Sequence, residues 1–97
     1  ERVSKTREAL QALEDLRLEF IRDEVDRERA ELSVEYGRRI EALRERINNE
    51  KNLTVEAREA INEQIVLLER QFAERLEKIN QEEIKRRLEE NLTRYIK

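Results

Sequence analysis

The sequence predicts an all-α fold, an antiparallel hairpin of two long helices that pair as a coiled coil. Charged residues make up 46% of the chain, which contains one glycine and no proline. This is the composition of long, exposed helices. Apolar residues recur every three or four positions in both halves, which is the spacing of a helix that buries one stripe. A polar, asparagine-rich stretch separates the two halves, and 97 residues allow one domain at most.

The polar stretch at residues 48–54 is predicted to form the bend of the hairpin. It contains three asparagines, namely Asn48, Asn49 and Asn52. Asparagine is unfavourable inside a helix and tolerates the left-handed conformation that ends one. Thr54 is then predicted to cap the second helix through the free amides of its first turn. The expected helices span about 4–48 and about 54–96. One unbroken helix with a solvated asparagine patch is the alternative.

A single antiparallel register aligns the large apolar residues of the two predicted helices. The residue numbers of each aligned pair add up to 104 or 105. The pairs are Leu43 with Ile61, Ile40 with Ile65, Tyr36 with Leu68, Leu32 with Phe72, Val25 with Ile79, Ile21 with Ile84, Leu13 with Leu92, and Leu10 with Tyr95. This shared register supports the hairpin independently of the chemistry of the bend.

Three positions interrupt the helical pattern. Arg29 falls in the apolar row, and we interpret its stem as covering the seam while its head reaches water. The alternative is a polar layer that fixes the register. Gly37, four residues after Ser33, marks either a close neighbour or a local break in the first helix. At Asn80 the apolar row takes a step of five residues, and we expect the second helix to continue through it.

Apolar residues exceed what one seam needs at the open end of the predicted hairpin, far from the bend. Such an excess is typical of a surface that binds another protein. We therefore predict self-association into a helical bundle, as a homodimer or larger, or docking of a protein partner at this end. The predicted interaction residues are Leu10, Leu13, Leu16, Phe20, Ile21, Leu88, Leu92, Tyr95 and Ile96.

No residue pattern in the chain indicates catalysis, and we expect the protein not to be an enzyme. The chain has no histidine and no cysteine, and Ser4 and Ser33 have no evident base to activate them. Carboxylates are abundant but occur on faces predicted to be solvated. The acidic run at residues 23–28 lacks the loop that a calcium site requires. The sequence therefore identifies no catalytic, metal or cofactor-binding residue and no small-molecule substrate.

The charge distribution argues against nucleic acid and membrane as partners. Residues 1–50 contain 11 basic and 14 acidic residues, and residues 51–97 contain 10 of each. Neither half is the basic surface that binds a phosphate backbone. No apolar run approaches the length of roughly 20 residues that a membrane span requires. The sequence indicates no compartment.

The second predicted helix resembles coiled-coil segments of phage tail tape-measure proteins. The resemblance lies in Leu53-Thr54-Val55-Glu56-Ala57-Arg58, Ile61-Asn62-Glu63-Gln64-Ile65 and Leu67-Leu68-Glu69-Arg70-Gln71-Phe72. It covers roughly half of the chain and implies a structural segment of a phage protein.

The predicted function is a structural or protein–protein interaction segment. Because the sequence begins at Glu1 without methionine, we expect a piece of a larger protein. Two alternatives remain, a nucleic-acid-binding helical arm and a rigid arm by which a secreted protein reaches a receptor.

Overall fold

The computed structural model describes residues 2–96 of the chain, with side chains from residue 4 to residue 94. These residues form three helices and no strand: α1 (Arg2–Glu19), α2 (Glu24–Asn49) and α3 (Val55–Ile96). The Cα atoms extend over 67 × 31 × 7 Å, so the helices lie side by side in one flat, elongated layer. α2 contacts both neighbours, whereas α1 and α3 have no contact with each other within the described range. The predicted all-α class is confirmed, but the predicted number of two helices is wrong.

The first predicted helix, 4–48, is interrupted at residues 20–23. Asp23 lies just before α2 in extended backbone conformation, and its carboxylate accepts a hydrogen bond from the amide of Asp26 at 3.0 Å. This is an N-cap, which stabilises the free amides at the start of a helix. The sequence carries this signal, because Asp23 precedes another acidic residue, Asp26, by three positions in the acidic run at residues 23–28.

The carboxyl end of α1 is held by a residue from the following helix. The guanidinium group of Arg27 donates hydrogen bonds to the carbonyl oxygens of Leu18 and Glu19, both at 3.3 Å. The last carbonyls of a helix have no partner within the helix, and a cation near them is favourable. Because Arg27 is eight and nine residues away, this stabilisation requires the chain to reverse direction. Periodicity along the sequence could not reveal it.

The second connection, residues 50–54, lies within the predicted bend. α2 ends at Asn49, and Glu50 is extended with its amide bonded to the carbonyl of Arg46 at 3.0 Å. The Thr54 hydroxyl accepts a hydrogen bond from the amide of Ala57 at 3.0 Å, which confirms the predicted N-cap. No non-glycine residue in the described range has a positive φ, so the bend does not use the left-handed asparagine that was expected.

The core is confined to the seam between α2 and α3. The buried apolar residues are Tyr36 on α2 and Ile61, Ile65 and Ile79 on α3. Tyr36 is the most deeply buried, at 1% exposure, and its ring centroid lies 5.6 Å from that of Phe72. A single seam gives the chain a small core for its length, so each of these residues carries a large share of the apolar stabilisation.

The contacts of Tyr36 lie about one helical turn farther along α3 than its predicted partner. Tyr36 was paired with Leu68, but its ring packs against Phe72 and its hydroxyl donates to the Gln71 side chain at 2.6 Å. The reason is the direction of the side chains. Each Cα–Cβ bond tilts toward the N-terminus of its own helix. The Tyr36 side chain therefore points toward the Glu24 end of α2. A side chain of α3 points toward the bend, so the residue that meets Tyr36 must have its Cα atom farther from the bend.

Arg29 forms a polar layer between α2 and α3. Its guanidinium group donates to the side-chain oxygen of Asn80 at 2.9 Å and pairs with Glu83 at 2.9 Å. A third bond, at 3.1 Å, joins it to Asp26 on its own helix. The guanidinium group of Arg29 is therefore bound to α3. The interpretation that it reaches water is wrong. α3 continues through Asn80 without interruption, as predicted.

Gly37 lies in the middle of α2 without a structural need for glycine. A Cβ atom at this position would meet nothing within 4 Å, and its φ is not positive. Replacing Gly37 by alanine is expected to stabilise the protein by about 1 kcal/mol, because glycine has the larger conformational entropy in the unfolded chain. Urea denaturation followed by circular dichroism measures the change. Ala42→Gly, at an exposed position of the same helix, is the reciprocal control and should destabilise by a similar amount. Equal stability of Gly37→Ala and wild type would contradict the expectation.

Candidate interaction surfaces

A groove separates α1 from α2 and has a volume of about 700 Å³. Its apolar or small lining residues are Val34, Gly37 and Ala42 on α2 and Leu10 on α1, and charged residues of both helices, such as Arg7 and Glu41, also line it. Leu10 remains 56% exposed, so α1 does not pack closely onto α2. The groove also includes Ser33, but the chain has no histidine or cysteine to assist a nucleophile there. The apolar side chains that line the groove suit contact with apolar groups.

Ion pairs bridge the groove and hold α1 beside α2. Arg7 pairs with Glu45, and Arg38 pairs with Asp15 at 2.9 Å. Arg38 also donates to the backbone carbonyl of Gln11 at 3.2 Å, while its buried Nε atom has no hydrogen-bond partner. These pairs are largely exposed, and exposed pairs contribute little because water and salt screen them. α1 is therefore the weakly attached helix of the three.

A second apolar surface lies on the part of α3 that extends past α2, residues 84–96, here called the projecting segment. Arg29, near the start of α2, already contacts Glu83, so few α2 residues remain to cover the rest of α3. Every described side chain from Ile84 to Arg94 is exposed. Ile84, Leu88 and Leu92 are 59%, 58% and 61% exposed and lie four residues apart. Residues at this spacing share one face of a helix.

The predicted interaction residues do not come together as one surface. Leu10, Leu13 and Leu16 are exposed on α1, Phe20 is exposed and Ile21 half-buried in the connection to α2, and Leu88 and Leu92 are exposed on α3. The side chains of Tyr95 and Ile96 lie outside the described residues. The predicted alignment of Leu10 with Tyr95 and of Leu13 with Leu92 is wrong, because α1 turns back along α2 and, among the residues that the structure describes, does not contact α3. The expected open end is thus divided between two surfaces.

The chain contains two pairs of adjacent arginines, Arg38–Arg39 and Arg86–Arg87, and three of these four side chains contact other residues of the chain. Arg38 pairs with Asp15, and the guanidinium carbon of Arg39 lies 5.4 Å from the centroid of the Tyr36 ring. Arg87 pairs with Glu83 at 3.0 Å. Two of these contacts are ion pairs with acidic residues, which lowers the positive charge available to phosphates at Arg38 and Arg87.

The acidic residues of the chain do not gather into a metal site in the part that the structure describes. The two aspartates of the acidic run at residues 23–28 have structural partners instead. Asp23 caps α2, and the Asp26 carboxylate binds Arg29. None of the described helices combines the length and the apolar character needed to cross a membrane.

No protein-family model matches the chain, and neither do any of the curated proteins or the solved structures.

Proposed function

We propose that this chain is a non-catalytic structural segment that joins protein subunits through helix–helix contacts. The observation that carries the proposal is the shape of the molecule. A flat layer 67 Å long contains a small core and leaves large apolar residues exposed on its outer helices. A helix with an apolar stripe normally buries that stripe against another element. The exposed stripes of α1 and α3 are therefore suited to contact other protein chains.

α2 and α3 would form the rigid part of this segment as an antiparallel coiled coil. The contacts between them support this arrangement. Tyr36, closer to the bend, meets Phe72, and Arg29, farther from the bend, meets Asn80. A residue of α2 that lies farther from the bend thus contacts a residue of α3 that also lies farther from the bend, as in an antiparallel pair. The Arg29 layer adds specificity to the register, which is the best-attested role of a polar group in a helical seam.

The resemblance to phage tail tape-measure coiled coils agrees with this proposal, because those proteins are long, charged and helical. It would make the chain a structural segment of a larger phage protein. The residues that carry the resemblance lie from Leu53 to Phe72, within the bend and the first part of α3. They include the buried Ile61 and Ile65, which any helix paired along this seam would require.

The competing proposal, a nucleic-acid-binding arm, has less support because acids accompany the basic residues throughout the chain. A mobility-shift assay with RNA and DNA at low salt separates the two, since electrostatic binding is strongest there. We expect no shift. A salt-sensitive shift would favour the nucleic-acid function over the structural one.

Two pairs of spin labels test the rigid α2–α3 arm. The first pair replaces Arg44 and Gln64, near the bend, by cysteine, and the second replaces Glu31 and Glu77, far from it. All four positions are exposed, and the chain contains no native cysteine. Both pairs should report narrow distance distributions that correspond to helix axes roughly 10 Å apart. Dilution with unlabelled protein removes contributions between molecules.

A long or broad distance for the pair at Glu31 and Glu77 would overturn the proposed arm. It would mean that α3 separates from α2 beyond the bend. The pair near the bend is the internal control, because a short connection keeps those residues close in either case.

A further inference from the structure

The projecting segment carries an apolar stripe that nothing in the described chain covers. Ile84, Leu88 and Leu92 form this stripe, and charged residues flank it on both sides. Contiguous exposed apolar surface with a polar rim marks a site of protein contact. A helix of this length also has little stability on its own without packing along one face. The segment therefore has both the chemistry and the energetic need for a partner.

The charges along this segment alternate in blocks, and this order indicates which partner fits. The blocks are Glu82-Glu83, Lys85-Arg86-Arg87, Glu89-Glu90 and Arg94. Leu88 lies between a basic block and an acidic block. When two copies of the segment lie antiparallel with the two Leu88 residues level, each basic block of one copy is level with an acidic block of the other. A parallel pair would place blocks of like charge together.

We propose that the projecting segments of two copies of this chain pair antiparallel about Leu88. In this two-fold arrangement Ile84 of each copy lies level with Leu92 of the other, so the stripe is complementary to itself. The inference rests on the proposed interaction function and names its partner, a second copy. The two projecting segments overlap over residues 84–92, about 14 Å for nine residues. The interface is therefore at the small end of specific interfaces, and the dimer should be populated at roughly 0.1–1 mM protein.

Sedimentation equilibrium of the full chain tests the dimer and the location of its interface. Leu88→Lys should weaken dimerisation at least tenfold, because it removes the central apolar contact and brings two ammonium groups together. Leu67→Lys is the matched control, since Leu67 is a similarly exposed leucine of α3, 54% against 58%, that lies outside the projecting segment. The control should dimerise as the wild type does. Circular dichroism checks that both variants keep their helix content.

Single cysteines test the direction of the pairing. Under mild oxidation, Ile84→Cys mixed with Leu92→Cys should give a mixed disulfide dimer, identified by a mass tag on one of the two chains. Ile84→Cys alone should cross-link poorly, because antiparallel pairing separates its two copies by eight residues, about 12 Å along the helix. Efficient cross-linking of Ile84→Cys alone would indicate parallel pairing and overturn the proposal.

Two further results would also overturn it, a wild-type chain that stays monomeric at 1 mM and equal weakening by Leu67→Lys and Leu88→Lys. Neither result bears on the spin-label distances between α2 and α3. The rigid interaction segment would then stand, with a different protein as its partner. Conversely, a long distance between α2 and α3 in the spin-label experiment would contradict the proposed function even if the projecting segments pair.

Discussion

Replacing Tyr36 by alanine is expected to unfold the α2–α3 pair. Tyr36 is 1% exposed and packs against Phe72. The guanidinium carbons of Arg39 and Arg75 lie 5.4 and 5.5 Å from its ring centroid. Truncating a buried aromatic residue costs about 3–5 kcal/mol. That loss approaches the whole stability of a small domain with one narrow core. Circular dichroism during thermal unfolding should show a much lower midpoint temperature or no cooperative transition at all.

Two variants separate this effect from the loss of an aromatic ring in general. Phe20→Ala removes a ring that is 81% exposed and should change the free energy of unfolding little, within about 0.5 kcal/mol. Tyr36→Phe keeps the ring but removes the hydrogen bond to Gln71, which should cost about 1 kcal/mol. If Tyr36→Ala were as stable as Phe20→Ala, the seam would not be the core of the protein.

Replacing Arg38 by alanine is expected to release α1 from α2 without disturbing α2 and α3. Arg38 binds both the Asp15 side chain and the Gln11 carbonyl of α1. The other ionic link that the structure describes between these helices joins Arg7 and Glu45. A spin-label pair that replaces Glu8 and Arg44, both exposed, should report one narrow distance in the native chain. In the variant the distribution should extend toward about 54 Å, the span of 36 residues in one straight, continuous helix.

High salt should reproduce the effect in the chain with Arg38 intact. At 1 M salt the Debye length falls to about 3 Å, so the exposed ion pairs across the groove are screened. The label pair at Arg44 and Gln64, which spans α2 and α3, should keep its distance under both conditions. Arg70→Ala is the control variant, since Arg70 is 76% exposed and pairs only within α3. A narrow α1–α2 distance that survives both treatments would mean that apolar contacts across the groove hold α1.

The elements that periodicity predicted well are those with strong local signals. The α3 helix begins after the Thr54 cap, because the hydroxyl, the amide of Ala57 and the following helix formers lie within a few residues of one another. The seam residues Ile61, Ile65 and Ile79 were recognisable from their spacing and are buried. The sequence was sufficient to predict these features because the residues involved are close in sequence or recur at the spacing of one helix face.

The break between α1 and α2 was missed because the helical spacing of apolar residues continues through it. Apolar residues continue through Phe20 and Ile21, so the pattern suggests one long helix. The Asp23 cap favours a new start, and Arg27 stabilises the end of α1 only after the chain has turned. Missing this break led to the wrong alignment of Leu13 with Leu92, since Leu13 lies on α1, which in the described part of the chain contacts α2 and not α3.

By itself the sequence determined the helical class, the position of the second connection and the apolar rows that form the seam. These follow from local propensity, capping and the period of 3.6 residues. Only the tertiary structure decided the contact partners of Tyr36, the path of α1 and the exposure of the projecting segment. The partners of Tyr36 depend on how side chains lean from two separate backbones. The path of α1 depends on weak ion pairs between distant residues, such as Arg38 and Asp15. The projecting segment is exposed because α2 is shorter than α3 once α1 has turned away.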